Sequence, residues 1–215
     1  MTGSKILRLT IAAAALLFFV WLAAEVVHGR TQRFDDGIRM LVHAHASPPL
    51  TAIMRGISLI GAPAVLIVVG ALAIVFFVRT QRSRTAMLYL LAVPGAQVLG
   101  ESLKAVLHRP RPATFFGLAE PTSYSFPSGH AVGSCAFFCA LAVFAAAHTG
   151  SRVRRWLYYM GAATAIAAIG FSRIYLGMHY PSDVLGGYAV AVFWLSIVAW
   201  VHNRFGDSRP AETAP

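Results

Sequence analysis

The chain has 215 residues, 57% of them hydrophobic and only 12% charged, with a formal net charge of +10. Soluble domains carry about 25% charged residues, so this composition excludes an ordinary soluble domain and indicates a membrane protein. The arginines fall in short clusters between apolar runs rather than in one patch, which speaks for membrane topology and against nucleic-acid binding.

Six runs approach the roughly 20 apolar residues needed to cross a bilayer: about 6–27, 57–78, 86–107, 130–148, 156–176 and 184–202. They predict an all-α, polytopic membrane fold with six transmembrane helices in one bundle. One domain covers 1–206, and 207–215 (DSRPAETAP from Asp207) reads as a disordered tail. The first run follows Lys5 and Arg8 and ends near Ala23-Ala24, so it also carries marks of a signal peptide. Its long apolar stretch, with no soluble domain after it, favours an uncleaved span. The first loop reads as an interfacial helix with Phe34, Ile38, Leu41 and Val42 spaced along one face, ended by Ser47-Pro48-Pro49. The third run holds Pro94, Gly95, Gln97, Glu101 and Ser102, which are tolerated where they face other helices. Cys135 and Cys139 lie inside the fourth run with no metal-type neighbours and read as packing residues.

Arginines dominate the second loop (Arg79, Arg82, Arg84) and the fourth (Arg152, Arg154, Arg155). The first loop is mixed, with Asp35 and Asp36 among its arginines. The positive-inside rule then places both termini in the cytoplasm. By parity, the third and fifth loops face the opposite, non-cytoplasmic side.

Three segments fall on that side: Lys104 to Pro112 (KAVLHRPRP), Pro127 to His130 (PSGH), and Ser172 to Asp183 (SRIYLGMHYPSD). Lys104, Arg111 and Arg173 lie at the outer ends of different spans, where a charge beside lipid needs a partner or a function. A lone arginine there could simply reach the headgroups. Arg fits phosphate through a bidentate fork and Lys supplies a compact charge. Ser128 and Gly129 open the fourth span, whose first N–H groups favour an anion; Ser128 equally suits a helix cap. His179 precedes Asp183 by one helical turn. A carboxylate on one ring nitrogen fixes the tautomer and leaves the other nitrogen free as a nucleophile. His130 offers a second imidazole that could protonate a leaving alkoxide. These residue types permit phosphoryl transfer: Lys104, Arg111, Arg173, Ser128 and Gly129 to hold the phosphate, His179 to attack, Asp183 to orient, His130 as acid and then base. The cations already supply the charge, so the site calls for no metal and no cofactor.

The three segments closely resemble the type 2 phosphatidic acid phosphatase family, whose superfamily includes bacterial acid phosphatases and vanadium haloperoxidases. The pattern is Lys, six residues, Arg-Pro; Pro-Ser-Gly-His; then Ser-Arg, five residues, His, three residues, Asp. It is met at Lys104 with Arg111-Pro112, at Pro127 to His130, and at Ser172-Arg173 with His179 and Asp183, with no position departing. Order and span context match over roughly 50–200. The resemblance implies a six-helix membrane fold, a metal-independent phosphatase and a phosphohistidine on His179. The expected partners are a lipid phosphate and the membrane, not nucleic acid. Phosphatidic acid, phosphatidylglycerophosphate and a polyprenyl diphosphate all fit. A lipid phosphotransferase would use the same residues, and a non-catalytic lipid carrier could share the fold.

Several residues lie outside the pattern. Arg109 reads as a headgroup-facing arginine beside Arg111, and Glu101 as a partner for Lys104 one turn on. Phe115 and Phe116, in the long loop from Ala113 to Phe126, suit either a lipid chain or interfacial anchoring. His43 and His45 belong to no motif.

Overall fold

A computed structural model describes residues 3–119 and 121–205, which leaves the expected tail outside the described residues. The regular structure among them is eight helices: α1 (Gly3–Val27), α2 (Gln32–Ala44), α3 (Pro48–Ile60), α4 (Pro63–Arg79), α5 (Ser83–Leu107), α6 (Gly129–Ala147), α7 (Arg152–Tyr175) and α8 (Pro181–Phe205). α1, α5, α6, α7 and α8 are each long and apolar enough to span a membrane, and α3 with α4 meets the same test as a pair bent by 44°. The architecture is a multi-pass helical bundle.

The bent pair corrects the expectation of one continuous span at 57–78. Pro63 lacks the N–H that would continue the ladder, so α3 stops and α4 restarts with Pro63 in its first turn. Gly61, at the elbow, lies against Ile169 of α7 with no room for a side chain. The chain at Ser47-Pro48-Pro49 both ends α2 and starts α3, with an extended Ser47 and proline at the first helical positions. The Tyr175 hydroxyl ties this start to α7 through Thr51 Oγ1 at 2.8 Å.

α1 packs along α8, and α6 sits between α5, α7 and α8. The core runs from Phe77, Tyr89 and Phe137 at one end to Phe126 at the other, where Phe19 stacks on it at 5.6 Å. Large apolar side chains such as Leu17, Leu72 and Val98 face outward, as lipid contact requires. Gly95 makes room for Trp194, whose Nε1 donates to the Leu91 carbonyl at 2.9 Å in the turn before Pro94. Ser102 departs from expectation: it faces outward and returns its hydroxyl to the Val98 carbonyl, which satisfies it without a neighbouring helix.

The first loop does form a helix, α2, and its polar residues turn inward. Its buried side chains are Asp35 and Arg39, one turn apart, with Thr31 just before the helix. Phe34 and Leu41 face outward. The polar stripe is the one that meets the bundle.

Candidate active site

The three motifs converge at one end of the bundle. α5 delivers Lys104 in its last turn, α7 delivers Arg173 in its last turn, and α6 and α8 begin there with Gly129 and Pro181. The Ser128 N–H donates to the Asp183 carbonyl at 2.9 Å, joining the starts of α6 and α8. This contact needs Gly187, because a Cβ there would come within 2.8 Å of the Ser128 carbonyl.

His179 lies in the turn between α7 and α8 and is 2% exposed. The Arg173 carbonyl accepts from the N–H groups of both Met178 and His179 and shapes that turn. His179 Nδ1 is 3.2 Å from Asp183 Oδ2, and Ser125 Oγ lies 3.3 Å from the same nitrogen. Across the ring, Nε2 is 3.2 Å from Arg111 Nη1. A guanidinium can only donate, so Nε2 is the unprotonated nitrogen and Nδ1–H points at the carboxylate. Burial pushes the imidazole pKa down to about 4, against the opposing pull of Asp183. The ring is therefore neutral at physiological pH, with its Nε2 lone pair directed at the arginine.

Arg111 is held in its loop by Ser123 on one side and the Met178 carbonyl on the other. Desolvation lowers its pKa, with Asp183 and Glu101 opposing the shift. Lys104 is buried and paired with Glu101 at 2.9 Å, as the spacing predicts. Its ammonium packs against the start of α6: a Cβ at Gly129 would stand 3.1 Å from Lys104 Nζ and 3.0 Å from Glu101 Oε1. Glycine is what lets this cation reach the helix start. Ser128 Oγ caps α6 by accepting from the Ala131 N–H. By position, the Gly129 and His130 N–H groups then lack intrahelical partners. Arg173 donates to Ser58 Oγ of α3, while its buried Nε has no partner among the described residues. His130, partly exposed, lies within electrostatic range of Arg173, His179, Lys104 and Arg111. All eight predicted residues thus gather in one place. An anion there would meet a guanidinium, an ammonium, an unsatisfied guanidinium N–H and a helix start.

Arg109 is not at the headgroups. It is 8% exposed and joins the site from behind. Nη1 donates to Asp183 Oδ1 at 2.7 Å and Nη2 to Asp35 Oδ2 at 2.7 Å. Sequence reasoning missed Asp35, Ser125 and Ser58 as well. The available signal for Asp35 was the four-residue spacing of Thr31, Asp35 and Arg39, a polar stripe on an otherwise interfacial helix. Phe115 and Phe116 stack on His43 and Tyr175 respectively, so both rings are engaged within the protein.

Residues 85–207 match the sequence pattern of the PAP2 superfamily. The chain is 31% identical to phosphatidylglycerophosphatase B of Bacillus subtilis over 85% of its own length and 90% of the relative's. It is 29% identical to an undecaprenyl-diphosphatase of Sulfolobus acidocaldarius, covering 86% and 87% of the two chains. In structure it resembles a crystallised transmembrane PAP2-type phosphatidylglycerolphosphate phosphatase from Bacillus subtilis. The TM-score is 0.79 at 28% identity, over 92% of this chain and 98% of that one.

Proposed function

The chain belongs to the PAP2 superfamily and is a membrane lipid phosphatase, and we propose that it works through a covalent phosphohistidine on His179. The observation that carries this reading is the two-sided hold on the ring: Asp183 behind Nδ1 and Arg111 in front of Nε2. Nε2 attacks phosphorus in line with the lipid oxygen. The P–O bond to the lipid breaks as the N–P bond forms, and His130 gives the leaving oxygen its proton. His130 then takes a proton from water. The resulting hydroxide attacks phosphorus, the N–P bond breaks and phosphate leaves. Lys104, Arg111, Arg173 and the N–H groups at Gly129 offset the charge on the equatorial oxygens. This division of labour supplies the electrostatics without a metal ion.

The substrate is a phosphomonoester or diphosphate at the end of an apolar chain, in the class of phosphatidylglycerophosphate, phosphatidic acid or a polyprenyl diphosphate. A groove of about 370 Å³ between α4 and α5 supports a lipid-borne phosphate. Leu66, Ile67, Ile74 and Val93 line it, together with Gln97 and Gly133. The Gln97 amide also lies beside Gly129 with Lys104 Nζ, so one lining residue of the groove adjoins the cation cluster. The basic loops at the opposite end support cytoplasmic termini and a site on the non-cytoplasmic face.

The test is phosphate release by the purified protein in detergent, using these three lipids and a soluble phosphomonoester, each with and without EDTA. Turnover of at least one lipid that survives EDTA and is lost in His179→Ala is expected. Full turnover by folded His179→Ala removes it as nucleophile. Activity lost to EDTA and restored by a divalent ion overturns the metal-free site.

A further inference from the structure

Behind His179 lies a buried ionic chain that reaches helix α2. Asp183 is fully buried and accepts four donors of different kinds. Oδ2 takes the His179 Nδ1–H, the Ser125 hydroxyl and the Tyr180 N–H at 2.8 Å, while Oδ1 takes Arg109. Asp35 is equally buried. Its Oδ1 accepts from the Ser182 N–H at 2.9 Å, and its Oδ2 from the Ser182 hydroxyl and Arg109 Nη2, each at 2.7 Å. Two carboxylates therefore share one guanidinium at the start of α8. The Tyr180 ring covers that guanidinium at 4.1 Å.

Such an arrangement costs desolvation for three charges, and a capped helix start alone would not require it. Its geometry says what it does. With Oδ1 committed to Arg109, Asp183 has one orientation, and only Oδ2 remains for the imidazole. Its formal charge adds a second effect. Asp35, Arg109 and Asp183 sum to one negative charge beside a neutral ring. On the Nδ1 side that charge faces the ring as it turns cationic, when Nε2 gains a phosphoryl group, while Arg111 stands on the Nε2 side where the phosphoryl oxygens would lie.

We infer that Asp35 and Arg109 are positioning residues for the phosphoryl transfer step, fixing Asp183 against His179 and holding a residual negative charge for the phosphorylated ring. Neither touches the reacting atoms. Both act through Asp183, and through them α2 becomes part of the catalytic apparatus. The assignment rests on the reading of His179 as nucleophile.

Asp35→Asn and Arg109→Lys test it in the full-length protein. The first keeps volume and removes charge. The second keeps charge but cannot span two carboxylates. Each is expected to lower kcat by about ten- to a hundredfold, by analogy with the range found for carboxylates that orient a metal-ligating histidine from behind. KM should stay within about threefold, and inhibition by orthovanadate, a probe for five-coordinate phosphorus, should weaken in parallel with kcat. A merely structural role lowers thermal stability and leaves kcat per folded molecule intact. That outcome, or unchanged vanadate inhibition, overturns the assignment. The two variants are independent, so either one that folds decides it. An inactive wild type would defeat the phosphatase reading itself, while an active wild type beside unaffected variants defeats only this inference.

Discussion

Two groups of cations at opposite ends of this bundle meet opposite fates. At the end formed by the α4–α5 and α6–α7 turns, Arg79, Arg82, Arg84, Arg152, Arg154 and Arg155 are all exposed. Arg82 reaches the His148 ring, which closes that end loosely. At the other end Lys104, Arg109 and Arg173 are buried, and Arg111 is half-buried. The difference lies in their partners. An exposed arginine keeps its water and contributes little through any one ion pair. A buried one must be matched, and here the matching groups are Glu101, Asp35, Asp183 and Ser58. Arg173 Nε has no partner among the described residues. One end is read by counting charges, the other by pairing them.

The sharpest way to break this comparison is to remove a buried carboxylate. Asp183→Asn takes away the acceptor for His179 Nδ1–H and one side of the Arg109 bridge. The expected loss in kcat is about 10³–10⁴-fold, on the scale of losing the orienting carboxylate of a catalytic His. Its pH dependence distinguishes cause from coincidence. Asp183 holds the His179 pKa up against burial, so removing it favours the neutral ring still further. The loss therefore cannot be recovered by raising the pH, and a profile that regains full activity in alkali would refute the orienting role. In the wild type, the His179 imidazole stays neutral down to about pH 4. An unfolded chain binds this proton nearer pH 6.5, so His179 subtracts stability as pH falls through that window.

A smaller effect is expected from crowding the cation without altering any charge. Gly129→Ala places a methyl 3.1 Å from Lys104 Nζ and 3.0 Å from Glu101 Oε1. Both are ends of flexible side chains and can give way, so the fold should survive. The ammonium then leaves the helix start, and kcat/KM should fall roughly ten- to a hundredfold, as it does when a positioned group moves by about 1 Å. Unchanged kinetics would mean that Lys104 does not act from the place it occupies here.

The span pattern was legible because apolar length is a local property. The third and fourth runs, 86–107 and 130–148, fall within a few residues of α5 and α6. The three candidate-site motifs were legible because their spacing encodes which helix ends carry them. What escaped depends on contacts distant in sequence. Arg109 and Asp35 are 74 residues apart, and only packing brings α2 onto the start of α8. The apolar stripe of α2 was visible, but which face meets the bundle is settled by partners outside the helix. The break at Gly61 escaped for another reason: hydropathy runs straight through it, and Pro63 alone marks the restart.

The last prediction leaves activity almost untouched and asks only where the two ends lie. Ala119 is exposed at the site end and Arg154 at the other, so a cysteine at either should be tolerated, with kcat within about twofold of wild type. The native thiols interfere little: Cys135 is buried and Cys139 half-buried within α6. An impermeant thiol reagent should label Ala119→Cys on intact cells and Arg154→Cys only after lysis. The reverse pattern would turn the protein over in the membrane while leaving its chemistry unchanged, because the site is defined by bonds within the chain. Labelling of both from outside would mean instead that α6, the one helix between them, does not cross the membrane. The elbow at Gly61 bears on the reverse pattern: with the N-terminus held in the cytoplasm, a re-entrant α3–α4 would likewise put Ala119 inside and Arg154 outside, because both positions follow that pair in the chain.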